Sequence, residues 1–274
     1  MNMRSRWLVL PLALAAMMTA AHDDPFKPSK GEQLKLGKQA AKEIRSHEKV
    51  LPKSDPRVRL LNKIATNLLK QIKPSKDEPW EFSFDVINDK EVNAFALPGG
   101  PVFFFTGLID KMQTEDEMAG VLAHEMTHIR REHWAYAYRD EQKRNLLFSG
   151  LLILGNASRT VQQATGVLNE VAFSLPFSRK HESEADEQGL QLMVQAGYNP
   201  HGMESIFKKL DESSREKPPE FLATHPDAKN RVKKIDEMIS KMNQTFPEQR
   251  PLPKEVRDLA TPEKPKKDGS CSAR

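Results

Sequence analysis

Cysteine is almost absent: Cys271, close to the C-terminal end, is the only one in 274 residues. A lone thiol excludes an intrachain disulfide framework and every cysteine-built zinc or iron–sulfur site, so any metal must be held by His, Asp or Glu. Long apolar runs are scarce as well. The mean hydropathy of −0.63 excludes a multi-span membrane protein and leaves at most one segment for a bilayer. Nor does one charge dominate: 42 Lys and Arg face 38 Asp and Glu. That surplus is too small to point to nucleic acid as a partner. The sequence contains no internal repeat.

Two of the positive charges, Arg4 and Arg6, precede an apolar run from Trp7 to Met18 and the small residues Thr19, Ala20 and Ala21. This is the layout of a secretory signal peptide over 1–21, cleaved near Ala20 or Ala21, and it predicts a periplasmic protein. The run is short for a span and no cysteine stands at the cleavage point for lipidation, so export as a soluble protein is expected and an uncleaved anchor is the alternative.

Residues 22–246 form the expected folded domain, followed by a Pro- and Lys-rich tail over 247–274 that is expected to be disordered. Helices are expected over 29–50 and 55–73. In the second, Asp55 caps, Pro56 follows, and Val58, Leu61, Ile64, Leu68 and Ile72 recur at helical spacing. The period then changes to two at Trp80, Phe82, Phe84 and Val86. Apolar residues over 92–97 and 102–105 flank Pro98-Gly99-Gly100-Pro101, which predicts a small sheet with a tight hairpin. Thr114 and Glu117 form a capping box that opens a long helix continuing past His133. Further helices are expected over 178–196, from Pro200, and from Pro226 to about Met242. The apolar stretch 146–154 is about half the ~20 residues of a span; it reads as buried helix, lid or contact with a membrane surface or envelope partner.

The chemistry lies in the capped helix, at His124-Glu125-Met126-Thr127-His128. Side chains four apart share a helix face, so both imidazoles reach one metal ion, and Glu125 beside them can take the proton of a water the metal activates. Zinc, one per chain, suits imidazole ligands and this hydrolytic chemistry. The third ligand decides the class. A metzincin requires Gly and His at the positions held by Arg131 and Trp134, which excludes that group. His133, half a helical revolution from His124, reads as a surface or packing residue. A carboxylate from a second helix is needed, and Glu182-Ser183-Glu184-Ala185-Asp186 supplies it. Glu182 and Asp186 share a face there, and spacing alone leaves Glu182 and Glu184 both open.

With these elements in order, the chain resembles the gluzincin metallopeptidases related to CAAX prenyl protease, HtpX and the periplasmic protease BepA. Asn93-Ala94-Phe95 before Pro98-Gly99-Gly100, Ser178-Arg179, and Thr224-His225-Pro226 followed by Arg231 extend the likeness over roughly 31–242. The resemblance implies that Glu182 is the third zinc ligand and Asp186 the residue orienting a ligand histidine. It implies that the loop of His225 lies at the active site, as oxyanion stabiliser or fourth ligand. If 93–97 is an exposed edge strand above the metal helix, Asn93, Ala94 and Phe95 can pair with an extended polypeptide substrate; a plain structural hairpin is the alternative. The several spans of the integral-membrane relatives and the helical-repeat domain of BepA have no counterpart in this sequence.

The expected protein is therefore a mostly helical α+β zincin-like domain with a small β-sheet beside the metal helix. Its expected activity is that of a zinc endopeptidase acting on unfolded or misassembled envelope proteins. The alternative is a zinc-containing, chaperone-like envelope protein with a gated, rarely active site.

Overall fold

The computed structural model describes residues 24–154, 177–213 and 219–260. The expected signal peptide lies outside the described residues, as do the side chains of 147–154.

Helix α1 (Lys30–His47) starts at a Ser29–Glu32 capping box, and α2 (Pro56–Leu69) starts at Asp55, whose side chain accepts from the Arg57 amide. Strands β1 (Ser83–Ile87), β2 (Ala94–Ala96) and β3 (Pro101–Phe105) form a sheet in the order β1-β3-β2. β1 runs parallel to β3, and β2 makes the antiparallel hairpin with it, in register Ala94↔Phe104 to Ala96↔Val102. The hairpin turns at Gly99 and Gly100, with φ of 86° and 139°. At Gly100 a Cβ would also stand 2.1 Å from the Glu81 carbonyl oxygen, so only glycine satisfies both demands.

The sheet is covered on both faces. Phe84 and Val86 face the main core, whereas Asp85 and Ile87 turn to α1, where Arg45 and Lys53 neutralise the buried Asp85 at 2.6 and 2.8 Å. After the short α3 (Thr106–Ile109), helix α4 (Glu115–Arg130) runs through the middle of the molecule, with residues 115–129 all buried. A helix buried on every face is a core helix, and α4 is packed by α2, the sheet, α6 (Arg179–Gln195) and α7 (His201–Ser213). Val58, Leu61, Ile64, Met118, Val121, Leu122, Met193, Ile206 and Phe207 meet there at zero to 2% exposure. Each such aliphatic side chain stabilises the fold by about 1.5–3 kcal/mol of transfer free energy.

Two expectations differ from what is seen. The capped helix ends at Arg130 rather than running on, because Glu132 takes a left-handed conformation (φ 54°) and α5 (His133–Leu154) starts in a new direction. The supposed tail is ordered over 247–260. Asp116, with no exposure, accepts from the amides of Asn199 and Arg250 (2.7 and 2.6 Å), and Leu252 and Val256 bury themselves against the core, the latter in α10 (Lys254–Arg257). Buried carboxylate acceptors and two apolar anchors outweigh the disorder-prone composition. The chain between them is completed by α8 (Glu220–Thr224) and α9 (Ala228–Lys241).

Candidate metal centre

His124 and His128 lie one turn apart on α4 with Nε2 atoms 3.0 Å from each other. The N-terminal turn of α6, capped by Ser178, brings Glu182 alongside. Its Oε1 is 3.4 Å from His128 Nε2 and its Oε2 3.6 Å from His124 Nε2. The loop between α8 and α9 closes the group, with His225 Nδ1 3.2 Å from His124 Nε2 and 3.1 Å from Glu182 Oε1. One ligand atom from each of the four residues falls within 4.8 Å of the others. Tetrahedral zinc with bonds of about 2.0–2.1 Å places its donors about 3.3 Å apart, so these residues fit one such ion. The four are buried, at 0 to 2% exposure.

The close approach of α6 to α4 depends on Gly189, where a Cβ would lie 3.0 Å from the His124 amide nitrogen. It also carries Asp186 to His124, whose Nδ1 is 3.0 Å from Asp186 Oδ1. With Nδ1 engaged by the carboxylate, the lone pair of His124 Nε2 is left to the donor group. Arg231 on α9, 4% exposed, joins the two carboxylates: Nε and Nη2 bond Asp186 at 2.8 and 2.7 Å, and Nη1 pairs with Glu182 Oε2 at 2.6 Å.

The ionisation of the group follows from this packing. Burial pushes His124 and, far more, His128 below the usual imidazole range, so both are neutral and free to ligate. For Glu182 and Asp186 burial opposes ionisation, but His225 and Arg231 at the first, and Arg231 at the second, hold both carboxyls below their ordinary values. Burial also opposes the charge on His225, yet Glu182 and Glu125 outweigh it and raise that imidazole. Glu125 sits beside this group with no exposure; its Oε1 is 3.3 Å from His225 Nε2, and neither oxygen has an aligned hydrogen-bond partner among the described residues. Burial pushes its carboxyl up to about 7. A buried carboxyl raised toward neutrality beside a cation-sized donor group is arranged to exchange a proton with a bound water or substrate.

The expected residues therefore converge: His124, Glu125, His128, Glu182, Asp186 and His225 are one cluster. Ala94 and Phe95 lie in β2, with Asn93 just before it. The Asn93 side chain is turned to Glu91 at 2.8 Å rather than toward the cluster. The Leu97 amide donates to Pro101 and the Asn93 carbonyl accepts from Phe105, so Ala94 and Ala96 direct their backbone groups to the opposite edge, which carries no strand among the described residues. A small cleft between Ala96, Leu97 and His128 lies below this edge.

His133 is a correction. It is 1% exposed and its Nδ1 stands 3.0 Å from His128 Nδ1, because the break at Glu132 voids the half-revolution estimate made for an unbroken helix. No Gly or Pro marks that break in Ile129-Arg130-Arg131-Glu132, so the sequence carried no signal for it. Phe177 was also missed; its ring lies 4.0 Å from that of His128, and its amide donates to the Thr224 carbonyl, fastening it over the centre beside His225.

Residues 57–239 match the family model described as Peptidase family M48. The mitochondrial metalloendopeptidase OMA1 of Schizosaccharomyces pombe is 33% identical over 210 residues, 75% of this chain and 60% of that protein. The beta-barrel assembly-enhancing protease of Escherichia coli (strain K12) is 28% identical over 233 residues, 79% of this chain and 47% of that protein. The chain thus spans about half the length of the curated relatives it matches.

Proposed function

On the premise that this chain belongs to peptidase family M48 and is a zinc metalloprotease, we propose that it cleaves unfolded or misassembled polypeptides in the bacterial envelope. The observation that carries the reading is the convergence of His124, His128, Glu182 and His225 at 3.0–3.6 Å beside the buried carboxyl of Glu125. His124, His128 and Glu182 would hold the metal, with Asp186 keeping His124 in the ligating tautomer. Zinc supplies a Lewis acid that polarises the scissile carbonyl and makes water acidic enough to attack at neutral pH. Glu125 takes the proton of the attacking water and gives it to the leaving amine. The outward-facing backbone groups of Ala94 and Ala96 pair with an extended substrate, an arrangement that accepts unfolded segments with little regard to sequence.

The envelope setting rests on the signal-like N-terminal sequence and on a relative named for assembly of β-barrels. No helix of the described residues is long and apolar enough to cross a membrane. One observation favours a gated version of the enzyme. His225 completes the donor set and Phe177 covers His128, so every ligating side chain is buried in this conformation. His225 would serve as fourth ligand in this conformation, once neutral, or as oxyanion stabiliser if its loop withdrew it from the donor group.

The test compares cleavage of casein by the zinc-loaded chain and by Glu125→Gln, with zinc content measured on both. We expect full zinc in both proteins and a fall in kcat of at least ~10²-fold in the variant. Undiminished turnover in Glu125→Gln would remove Glu125 as the base. Zinc in both with cleavage by neither favours the chaperone-like alternative.

A further inference from the structure

We infer that His133 is a positioning residue for the metal centre, fixing the tautomer and the ring plane of His128 by accepting its Nδ1 proton. The inference rests on the reading of His128 as a metal ligand through Nε2, which faces His124 Nε2 and Glu182. A neutral imidazole that gives its Nε2 lone pair to a metal carries its hydrogen on Nδ1, and a buried N–H needs an acceptor. The atom facing His128 Nδ1 is His133 Nδ1, at 3.0 Å. To accept there, His133 must carry its own hydrogen on Nε2, and that nitrogen faces Glu184 Oε2 at 3.5 Å. Glu184 is held in turn by Arg131 at 3.2 Å and by the Gln188 amide at 3.0 Å. One tautomer on each ring satisfies the whole row. The His133 ring is stacked on His181 with centroids 4.5 Å apart and planes within 13°, which favours this orientation.

The two ligand histidines are thus oriented by different means. His124 leans on a carboxylate, Asp186, locked by Arg231, whereas His128 leans on an imidazole backed by a half-exposed carboxylate. A packing role alone would not bring nitrogen to nitrogen at hydrogen-bond distance with the rings edge-on, 79° apart. The break at Glu132 gives α5 the direction that places His133 there.

The experiment measures zinc affinity, by competition with a fluorescent chelator, for the wild type, His133→Leu, His133→Asn and His128→Ala. Absorption of the cobalt-loaded forms gives a second readout. His133→Leu should bind zinc 10- to 100-fold more weakly, and its cobalt d–d bands should shift as His128 loses its orientation. His133→Asn, whose side-chain oxygen can stand near the lost Nδ1, should bind within ~3-fold of the wild type with unshifted bands. Should His133→Leu fail to fold without metal, His133→Gln, which reaches past that position, takes its place. Affinity unchanged in His133→Leu, or Asn as weak as Leu, overturns the inference while leaving the ligand set intact. Retention of full zinc affinity by His128→Ala refutes the ligand reading itself, and the inference with it.

Discussion

Arg231 grips both oxygens of Asp186, through Nε at 2.8 Å and Nη2 at 2.7 Å, and turns its remaining nitrogen to Glu182 at 2.6 Å. One cation from α9 therefore holds the ligand-orienting carboxylate and the ligating carboxylate of α6 in fixed relation. Both acids are at most 2% exposed, so neither finds water if the guanidinium is removed. Arg231→Met should cost about 3–5 kcal/mol in the metal-free protein, the usual penalty for leaving buried charge uncompensated. Chemical denaturation followed by circular dichroism measures it. A midpoint equal to the wild type would mean that these carboxylates are neutral in the metal-free fold.

Zinc should be a structural tie as well as a reagent. Its proposed ligands come from α4, α6 and the loop after α8, segments separated by 43 to 101 positions along the chain if His124, Glu182 and His225 are the reference points. An ion bound only by the folded state adds about 4 kcal/mol at a free concentration a thousandfold above Kd. For a domain of this size that corresponds to a fall in Tm on the order of 10 °C on chelation. Thermal scans with zinc and with EDTA test this; coincident curves would show that the metal contributes nothing to the fold.

Much of this was legible in the sequence, and the exceptions have a common cause. The capping box at Thr114, the helical period of α2, Ser178 as cap and Gly197 as stop are local signals, and local geometry decides them. His124, Glu125 and His128 were legible because one helical turn fixes their relation. His133 was misjudged because its place depends on a left-handed Glu132, a conformation unmarked by any residue preference. The segment 247–260 was misjudged because composition describes what a chain does alone, whereas Asn199 and Asp116 offer it hydrogen-bond partners 48 and 134 positions away. Parallel pairing of β1 with β3 is likewise a tertiary choice.

Gly189 sets the distance between the two ligand-bearing helices. A Cβ there would meet the His124 amide nitrogen at 3.0 Å and the Ala123 carbonyl at 3.1–3.2 Å, all backbone atoms that cannot swing aside. Alanine gains about 1 kcal/mol in helix propensity, but that gain is opposed by the contact. Valine has no room, and Gly189→Val should cost about 1–3 kcal/mol. Because any relief moves α6 from α4, Glu182 should retreat from His124, and zinc affinity should fall further than stability alone explains. Parallel titration and denaturation of Gly189→Ala and Gly189→Val separate the two effects. A valine variant with wild-type zinc affinity would show that the helices do not need this approach.

Asp55 supplies a pH dependence remote from the metal. Its Oδ1 accepts from the Arg57 amide at 2.9 Å and caps α2, and both its oxygens bond the Arg57 guanidinium at 2.9–3.0 Å. The guanidinium bond is the main reason its carboxyl lies below the ordinary value, with partial burial opposing. A folded-state pKa below the unfolded one stabilises the protein fully above the unfolded value, about 3.9, and that contribution is lost as pH falls through the folded value. Asp55→Ala should therefore cost about 1 kcal/mol at pH 7, the usual worth of such a cap. The gap between variant and wild type should shrink as the pH is lowered below 4. Urea midpoints at pH 7 and at pH 3 supply the comparison, and a gap equally wide at both would mean that the carboxyl caps α2 without its charge.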